Sequence, residues 1–104
     1  MRTYEGLREG YVAEVTVNGR PLNPRLDLRN HSPTGFEWGY GGSGPAQLAL
    51  AVLADHLADD EKALEFYQGF KFAVIARLPG NHWSLTSLEI DQALKNVRLA
   101  ESSP

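Results

Sequence analysis

The glycine-rich run Gly39-Tyr40-Gly41-Gly42-Ser43-Gly44-Pro45 is the part of the chain whose residue types and spacing could do chemistry. Its first, second and fourth glycines, Gly39, Gly41 and Gly44, match the G-x-G-x-x-G pattern of dinucleotide-binding turns, whose backbone N–H groups hold a pyrophosphate at a helix start. That fold also needs a second parallel strand that ends in an acid about 20 residues on. Here the acids near that distance, Asp59 and Asp60, open a helix. The dinucleotide pattern is therefore incomplete.

Pro45 excludes two further kinds of site in the same run, a P-loop and a nucleophile elbow. A phosphate-binding P-loop needs a lysine directly after its last glycine, where this chain has the proline. A nucleophile elbow needs a second glycine two residues after the serine, and the residue two after Ser43 is again Pro45. We therefore predict no catalytic residue in the run and, more broadly, a domain that is not an enzyme.

The run still predicts a strand-to-helix turn that could bind an anion. The first N–H groups of a helix are unpaired and carry partial positive charge, and glycines let a ligand approach them closely. Arginines of the preceding hairpin would complete the site, and two aromatic residues would stack a base or a sugar. The predicted ligand-binding residues are Trp38, Tyr40, Gly41, Gly42, Ser43, Gly44, Arg20, Arg25 and Arg29.

Each of these features also has a purely structural interpretation, which the sequence leaves open. The glycines could serve only a tight reversal that needs positive φ. The arginines could form a solvated hairpin surface, and an aromatic face at strand spacing is commonly part of a core. Neither a bound cofactor nor a metal is predicted. Asp55, His56, Asp59 and Asp60 are close in sequence, but they do not form a set of ligands at a recognised metal-site spacing.

Composition limits the classes of function. The 104 residues include no cysteine, which excludes thiol nucleophiles, disulfides and iron–sulfur sites. A net charge of −3 argues against nucleic acid as the main partner, and we do not predict one. The most apolar stretch, Leu48 to Leu57, is much shorter than a bilayer span, and Met1 to Glu5 lack the apolar segment of a secretory signal. We therefore predict a cytoplasmic location and no membrane contact.

The first half of the chain predicts strands. Residues 11–17 alternate, with Tyr11, Ala13, Val15 and Val17 on one face, and Asn18-Gly19 is a strong hairpin turn. The return strand is broken by Pro21 and Pro24, with Leu22, Leu26 and Leu28 facing the core. Residues 36–40 alternate aromatic residues with Glu37 and Gly39, which predicts a third strand.

The second half predicts helices. Residues 45–57 are apolar nearly all round, which is typical of a buried helix; Gly44 would cap it, and Gln47 would reach back to the cap. A second helix follows Asp59-Asp60 and keeps its spacing to residue 78, although Gly69 could break it and leave residues 70–76 as helix or strand. Thr86 and Glu89 form a capping box for a last helix to about residue 97, and Trp83 would close the core beneath it.

Together these elements predict an α+β fold. An N-terminal antiparallel β-hairpin or meander of about three strands would pack against two to three helices, one of them central and buried. We expect a single domain over residues 1–104, with an ordered core at about residues 4–97 and a frayed tail at residues 98–104. Association into a homo-oligomer is compatible with the many aromatic residues.

The segment from Gly35 to Ala49, which reads G-F-E-W-G-Y-G-G-S-G-P-A-Q-L-A, resembles the signature of a family of small uncharacterised domains. A later pattern, from Tyr67 through Leu78-Pro79 to Trp83, is similar too, so the resemblance covers most of residues 4–97. It implies occurrence in bacteria, archaea and phages, and hence a host–virus context. It implies no activity and no catalytic residues.

Two functions follow as hypotheses. The first is a non-enzymatic domain that holds a nucleotide or another phosphate-bearing small molecule at the glycine-rich turn. The second is a protein–protein interaction module of the phage or mobile-element type, which inhibits a host defence system.

Overall fold

A four-stranded antiparallel sheet forms one layer of the domain. In the computed structural model, which describes residues 1–102, the strands are β1 (Thr3–Glu9), β2 (Val12–Val17), β3 (Arg20–Pro21) and β4 (His82–Thr86). Their order across the sheet is β3-β2-β1-β4. The helices are α1 (Ser43–Leu57), α2 (Asp60–Ala73) and α3 (Ser87–Ser102), with a 3₁₀ turn at Ile75–Arg77 after α2. The predicted α+β class, with an antiparallel sheet against three helices, is confirmed.

Two of the four strands were not predicted. β1 carries a glycine at its centre, which weakens a strand signal, yet Tyr4 and Gly6 face the core while Glu5 and Leu7 face outward. β4 comes late in the chain, between two helices, and pairs with β1 so that Trp83 lies opposite Gly6. The sheet therefore has its N-terminal hairpin at one side and a strand from the second half of the chain at the other edge.

The strand predictions were partly wrong. The hairpin turn at Asn18-Gly19 is confirmed, since both residues have positive φ. β2 begins at Val12, however, and Tyr11 lies in the preceding turn with its side chain fully exposed. The return strand is only two residues long, Arg20–Pro21, although the Leu22 N–H after it still bonds the Val15 carbonyl at 3.0 Å. Leu22 after it is buried, Leu28 is half-buried and Leu26 is exposed.

Residues 36–40 do not form the predicted third strand. Phe36 and Trp38 are buried as expected, but the segment pairs with no strand of the sheet. Gly39 adopts φ +89° and donates its N–H to the carbonyl of Ile75 in the 3₁₀ turn. The alternation of aromatic residues thus reflects an extended connection that lies on the core beside α1.

Helix α1 is the buried centre of the domain, as predicted. Residues 44 to 54 are all buried, and an αL residue, Ala58, ends the helix before Asp59 caps α2. The predicted start at Pro45 was wrong by two residues: α1 begins at Ser43, and its N-cap is Gly42. Gln47 does not reach back to the cap; its buried amide bonds the backbone of residues 24–32 instead.

The structure gives the bounds of the second and third helices, which the sequence had predicted only in part. α2 continues through Gly69 to Ala73, so residues 70–73 are helical and a 3₁₀ turn, not a strand, follows. The capping box is confirmed, since Thr86 Oγ1 accepts from the N–H of Glu89 and the Glu89 carboxylate accepts from the N–H of Thr86. α3 runs to Ser102, five residues past the predicted end at 97. Of the predicted frayed tail, residues 103 and 104 lie outside the described residues.

The strand register fixes which end of α1 each end of the sheet covers. Tyr4, at the start of β1, donates its hydroxyl to Asp55 Oδ2 at 2.6 Å, near the C-terminus of α1. Arg8, at the other end of β1, pairs with Glu37, beside the N-terminus of α1. No helix of the described residues is long and apolar enough to cross a bilayer.

The buried Tyr4 phenol makes stability sensitive to alkaline pH. Burial, followed by the hydrogen bond to Asp55, raises the pKa of Tyr4 above its ordinary value. The neutral phenol therefore stabilises the folded state fully below about pH 10, and this contribution is lost as pH rises beyond that value. We expect Tyr4→Phe to cost about 1 kcal/mol at neutral pH and to flatten the decline above pH 10. Urea denaturation of both proteins at neutral pH and above pH 10 measures the free energy of unfolding. An equal decline in the two proteins would contradict the role assigned to the phenol.

Candidate functional site

The glycine-rich turn presents a run of unpaired backbone N–H groups. Within residues 1–102, the N–H groups of Gly41, Gly42, Ser43 and Gly44 have no hydrogen-bond partner, whereas the next one, of Ala46, bonds the Gly42 carbonyl at 3.0 Å. Gly41 and Ser43 are exposed and Gly42 is half-buried. Consecutive N–H groups at a helix start form an anion-binding concavity. The chain thus has unused donors at its surface, at the predicted position.

Glu37 packs against the helix start, and Arg8 neutralises it. A Cβ on Gly44 would lie 2.7 Å from the Cβ of Glu37, so only glycine allows this close approach. The Glu37 carboxylate forms an ion pair with the Arg8 guanidinium, which also donates to the Gly80 carbonyl at 3.1 Å. An acid beside the N-terminus of α1 would repel a ligand anion, and this ion pair removes most of that repulsion.

Trp38 belongs to the core and cannot stack a ligand. It is 3% exposed, and its indole N–H donates to the Gly80 carbonyl at 2.9 Å. Its ring meets Trp83 edge to face at 5.6 Å between centroids, and Arg8 covers it at 4.4 Å. For Trp38 the structure therefore supports the interpretation as a core residue and not as a stacking residue.

Tyr40 and Phe72 border the turn as two exposed aromatic side chains. Tyr40 is 53% exposed and Phe72 is 59% exposed. The Tyr40 ring lies on Gly42, where an added Cβ would be 2.4 Å from the ring, and the Phe72 ring lies on Gly41, with the corresponding distance 3.0 Å. Both rings thus rest on the glycine backbone. The Tyr40 ring leaves the remainder of its surface open to stack a planar group, whereas the Lys71 ammonium lies over one face of Phe72.

Lys71 reaches the border of this turn through Phe72. Its residue is 7% exposed, yet in residues 1–102 its ammonium has no hydrogen bond or ion pair; Nζ lies 4.1 Å from the centroid of the Phe72 ring, which itself contacts Gly41. The Lys71 side chain is thus covered along its methylenes, while its ammonium reaches solvent beside Phe72. An anion at the turn would supply the missing partner.

The three predicted arginines lie elsewhere. Arg20 pairs with Val17 in the sheet and Val17 with Tyr4, which places Arg20 at the end of the sheet near the C-terminus of α1. Arg25 forms ion pairs with Asp27 and Asp60, and its bond to Asp27 holds the pKa of that exposed carboxyl below its usual range. Asp60 begins α2, twelve residues before Phe72, which corresponds to about 18 Å along the helix.

Arg29, the third of these arginines, donates to the carbonyl of Leu28 at 2.7 Å. Within residues 1–102, none of the three guanidinium groups hydrogen-bonds to the turn. Of the nine predicted residues, the structure groups Tyr40, Gly41, Gly42 and Ser43 at the surface with Gly44 directly behind them. Sequence reasoning missed Lys71 and Phe72, although Lys71 lies at helical spacing in the buried row of Ala63, Tyr67 and Phe70, an unusual place for a lysine.

The acidic cluster considered for a metal has other partners. Asp55 accepts from Tyr4, His56 pairs with Asp91 at 2.6 Å, and the Asp59 side chain caps α2. Within the part of the chain that the structure describes, no group of three or more His, Asp or Glu side chains is placed to hold a metal ion.

An α+β domain with this turn matches a known family. The model of a family of unknown function, DUF6166, matches residues 4–96, and the chain belongs to this family. The matched residues contain the whole glycine-rich turn and the later Tyr67-to-Trp83 pattern. No curated protein and no solved structure matches the chain significantly.

Proposed function

We propose that the domain is a non-enzymatic binding protein for a nucleotide or another phosphate-bearing small molecule, held at the glycine-rich turn. The observation that carries this proposal is the Lys71 ammonium, which forms no ion pair in residues 1–102, beside four consecutive unpaired N–H groups. Both kinds of group bind oxyanions, and both lack a partner in residues 1–102.

Each group has a distinct part in this proposal. The N–H groups of Gly42, Ser43 and Gly44 donate to phosphate oxygens, and the positive end of the α1 dipole adds to the attraction. The Lys71 ammonium neutralises the phosphate as a point charge. The exposed face of Tyr40 stacks a base or sugar, which discriminates a nucleotide from inorganic phosphate.

Lys71→Met separates ligand binding from stability. Since methionine fills the buried space without a charge, we expect the free energy of unfolding to stay level or to rise by about 0.5–1 kcal/mol. Binding of phosphate-bearing ligands is expected to fall about tenfold or more, because an ion pair that is partly desolvated is lost. Thermal unfolding and calorimetry against purine nucleotides, cyclic nucleotides and inorganic phosphate measure both quantities.

The matched control is Arg20→Met, which removes the same charge from an exposed position at the far end of the sheet from the turn. It should leave the ligand-induced rise in Tm unchanged. The proposal is contradicted if no ligand of the series raises the Tm of the unaltered protein at millimolar concentration. It is equally contradicted if Lys71→Met and Arg20→Met weaken binding alike.

The second hypothesis, a protein–protein interaction module, is favoured by a different surface. The outer face of the sheet carries no helix, and Leu7, Val12 and the turn residue Tyr11 are 46%, 58% and 106% exposed. Exposed apolar side chains on a sheet face are typical of a binding surface. Leu7→Thr with Tyr11→Ser would weaken such an interaction without loss of fold. The phage and host-defence context of this hypothesis stays a prediction.

A further inference from the structure

A groove between α2 and α3 has the shape and lining of a second binding site. Its volume is about 560 Å³, within the range of small-molecule sites, and it lies away from the glycine-rich turn. Apolar residues form much of its lining, and charged side chains of both helices join them. The lining residues are Leu57, Lys62, Phe66, Asp91, Leu94, Lys95, Arg98 and Leu99.

The charge of this groove is opposite to that of the protein. The chain has a net charge of −3 and only three lysines, yet two of these, Lys62 and Lys95, line the groove together with Arg98. Within residues 1–102 neither lysine side chain forms an ion pair, and the Arg98 guanidinium lies 5.8 Å from the Phe66 ring centroid. Asp91 is the one acid among the lining residues, and His56 pairs with it.

Helical spacing places the cations and the apolar side chains on the same surface. Lys62 and Phe66 are four residues apart on α2, while Asp91, Lys95 and Arg98 follow one stripe of α3. A row of cations beside an aromatic and aliphatic floor complements a molecule with an anionic end and an apolar body. Inorganic phosphate lacks the apolar part, and a cationic amphiphile has the wrong charge.

We infer that the groove between α2 and α3 binds a small amphiphilic anion, a carboxylate, sulfonate or phosphate attached to an apolar chain or ring. The apolar body lies on Phe66, Leu94 and Leu57, and the anion lies between Lys62 and Lys95. This site shares no residue with the glycine-rich turn. The inference about the groove does not depend on the function proposed for that turn.

The test uses the full chain and anilinonaphthalene sulfonate, an aromatic anion whose fluorescence rises in an apolar site. We expect saturable binding to the folded protein at one site, with displacement by dodecanoate but not by dodecyltrimethylammonium or inorganic phosphate. Lys62→Gln and Lys95→Gln should each weaken binding about threefold, and the double variant about tenfold. Arg29→Gln, which removes an exposed cation whose backbone bonds Gln47 in the first turns of α1, at the opposite end of that helix from Leu57 in the groove, should have no effect.

Asp91→Asn is expected to change dye binding in the opposite direction, so this variant separates the effect of charge from a loss of binding caused by misfolding. Removal of the groove's own negative charge should strengthen binding of the dye about twofold to threefold. Lys71→Met should leave dye binding unchanged, which keeps this site distinct from the turn. Absence of saturable dye binding, displacement by the cationic amphiphile as readily as by dodecanoate, or equal effects of Lys95→Gln and Arg29→Gln would overturn the inference.

Discussion

Gly6→Ala is expected to lower the free energy of unfolding by about 3 kcal/mol. A Cβ at this position would lie 2.2 Å from Nε1 of Trp83 and 2.3 Å from its Cε2, because the indole crosses directly over Gly6 on the core side of the sheet. Trp83 is 4% exposed and packs against Trp38, so it cannot move away without disturbing the core. Chemical denaturation measures the loss.

A double-mutant cycle isolates this contact. If the indole is the obstacle, Gly6→Ala should cost much less in a Trp83→Leu background, although Trp83→Leu is itself destabilising. The expected coupling between the two positions is about 2 kcal/mol. Additive effects would show that alanine harms β1 for another reason.

Gln47→Leu is the second substitution with a large expected effect. The buried amide Oε1 accepts from the N–H groups of His31 and Ser32, at 2.8 and 3.1 Å, and Nε2 donates to the carbonyls of Pro24 and Arg29, at 2.6 and 3.1 Å. Leucine keeps the volume but leaves two backbone donors and two acceptors without partners. We expect a loss of about 3–5 kcal/mol.

The local nature of this loss is open to measurement. In Gln47→Leu, amide hydrogen exchange at His31 and Ser32 should accelerate far more than exchange within β1. Exchange within β1 is the reference for global unfolding. Tyr67→Phe is the matched control, because it removes one bond, that of the Tyr67 hydroxyl to His31 Nε2, from the same segment. Its expected cost is about 1 kcal/mol. A Gln47→Leu protein as stable as Tyr67→Phe would refute the role assigned to the amide.

Local patterns predicted the helices better than the sheet. The apolar character of α1, the Asp59 cap of α2 and the Thr86–Glu89 box are properties of neighbouring residues, and all three are found in the structure. β1 and β4 pair across more than seventy residues, and Gly6 makes sense only once Trp83 lies over it. Such a pairing has no signature within a short window of sequence.

The same difference applies to the candidate site. The turn itself could be predicted, because its glycines, serine and proline are contiguous. The cation could not be predicted, because Lys71 comes to the turn only when α2 packs back against α1. The arginines were expected nearby on composition alone, yet β2 register and the Arg25–Asp60 pair hold two of them elsewhere.

The groove between α2 and α3 is also cationic, so a binding experiment must show at which of the two sites the ligand binds. A nucleotide that raised the Tm through Lys62 and Lys95 would support binding but not the proposed location. Lys71→Met and Lys95→Gln therefore form a pair of reciprocal controls. Each should affect one site and leave the other unchanged.

Amide chemical-shift mapping with isotope-labelled protein tests the central claim most directly. On titration with a purine nucleotide, a cyclic nucleotide or inorganic phosphate, we predict the largest shifts at the N–H groups of Gly41, Gly42, Ser43 and Gly44, with smaller shifts near Phe72. Lys71→Met should suppress these shifts. Shifts confined to α2 and α3 around Lys62 and Lys95, or no shift at Gly41 to Gly44 with any of the three ligands, would contradict it.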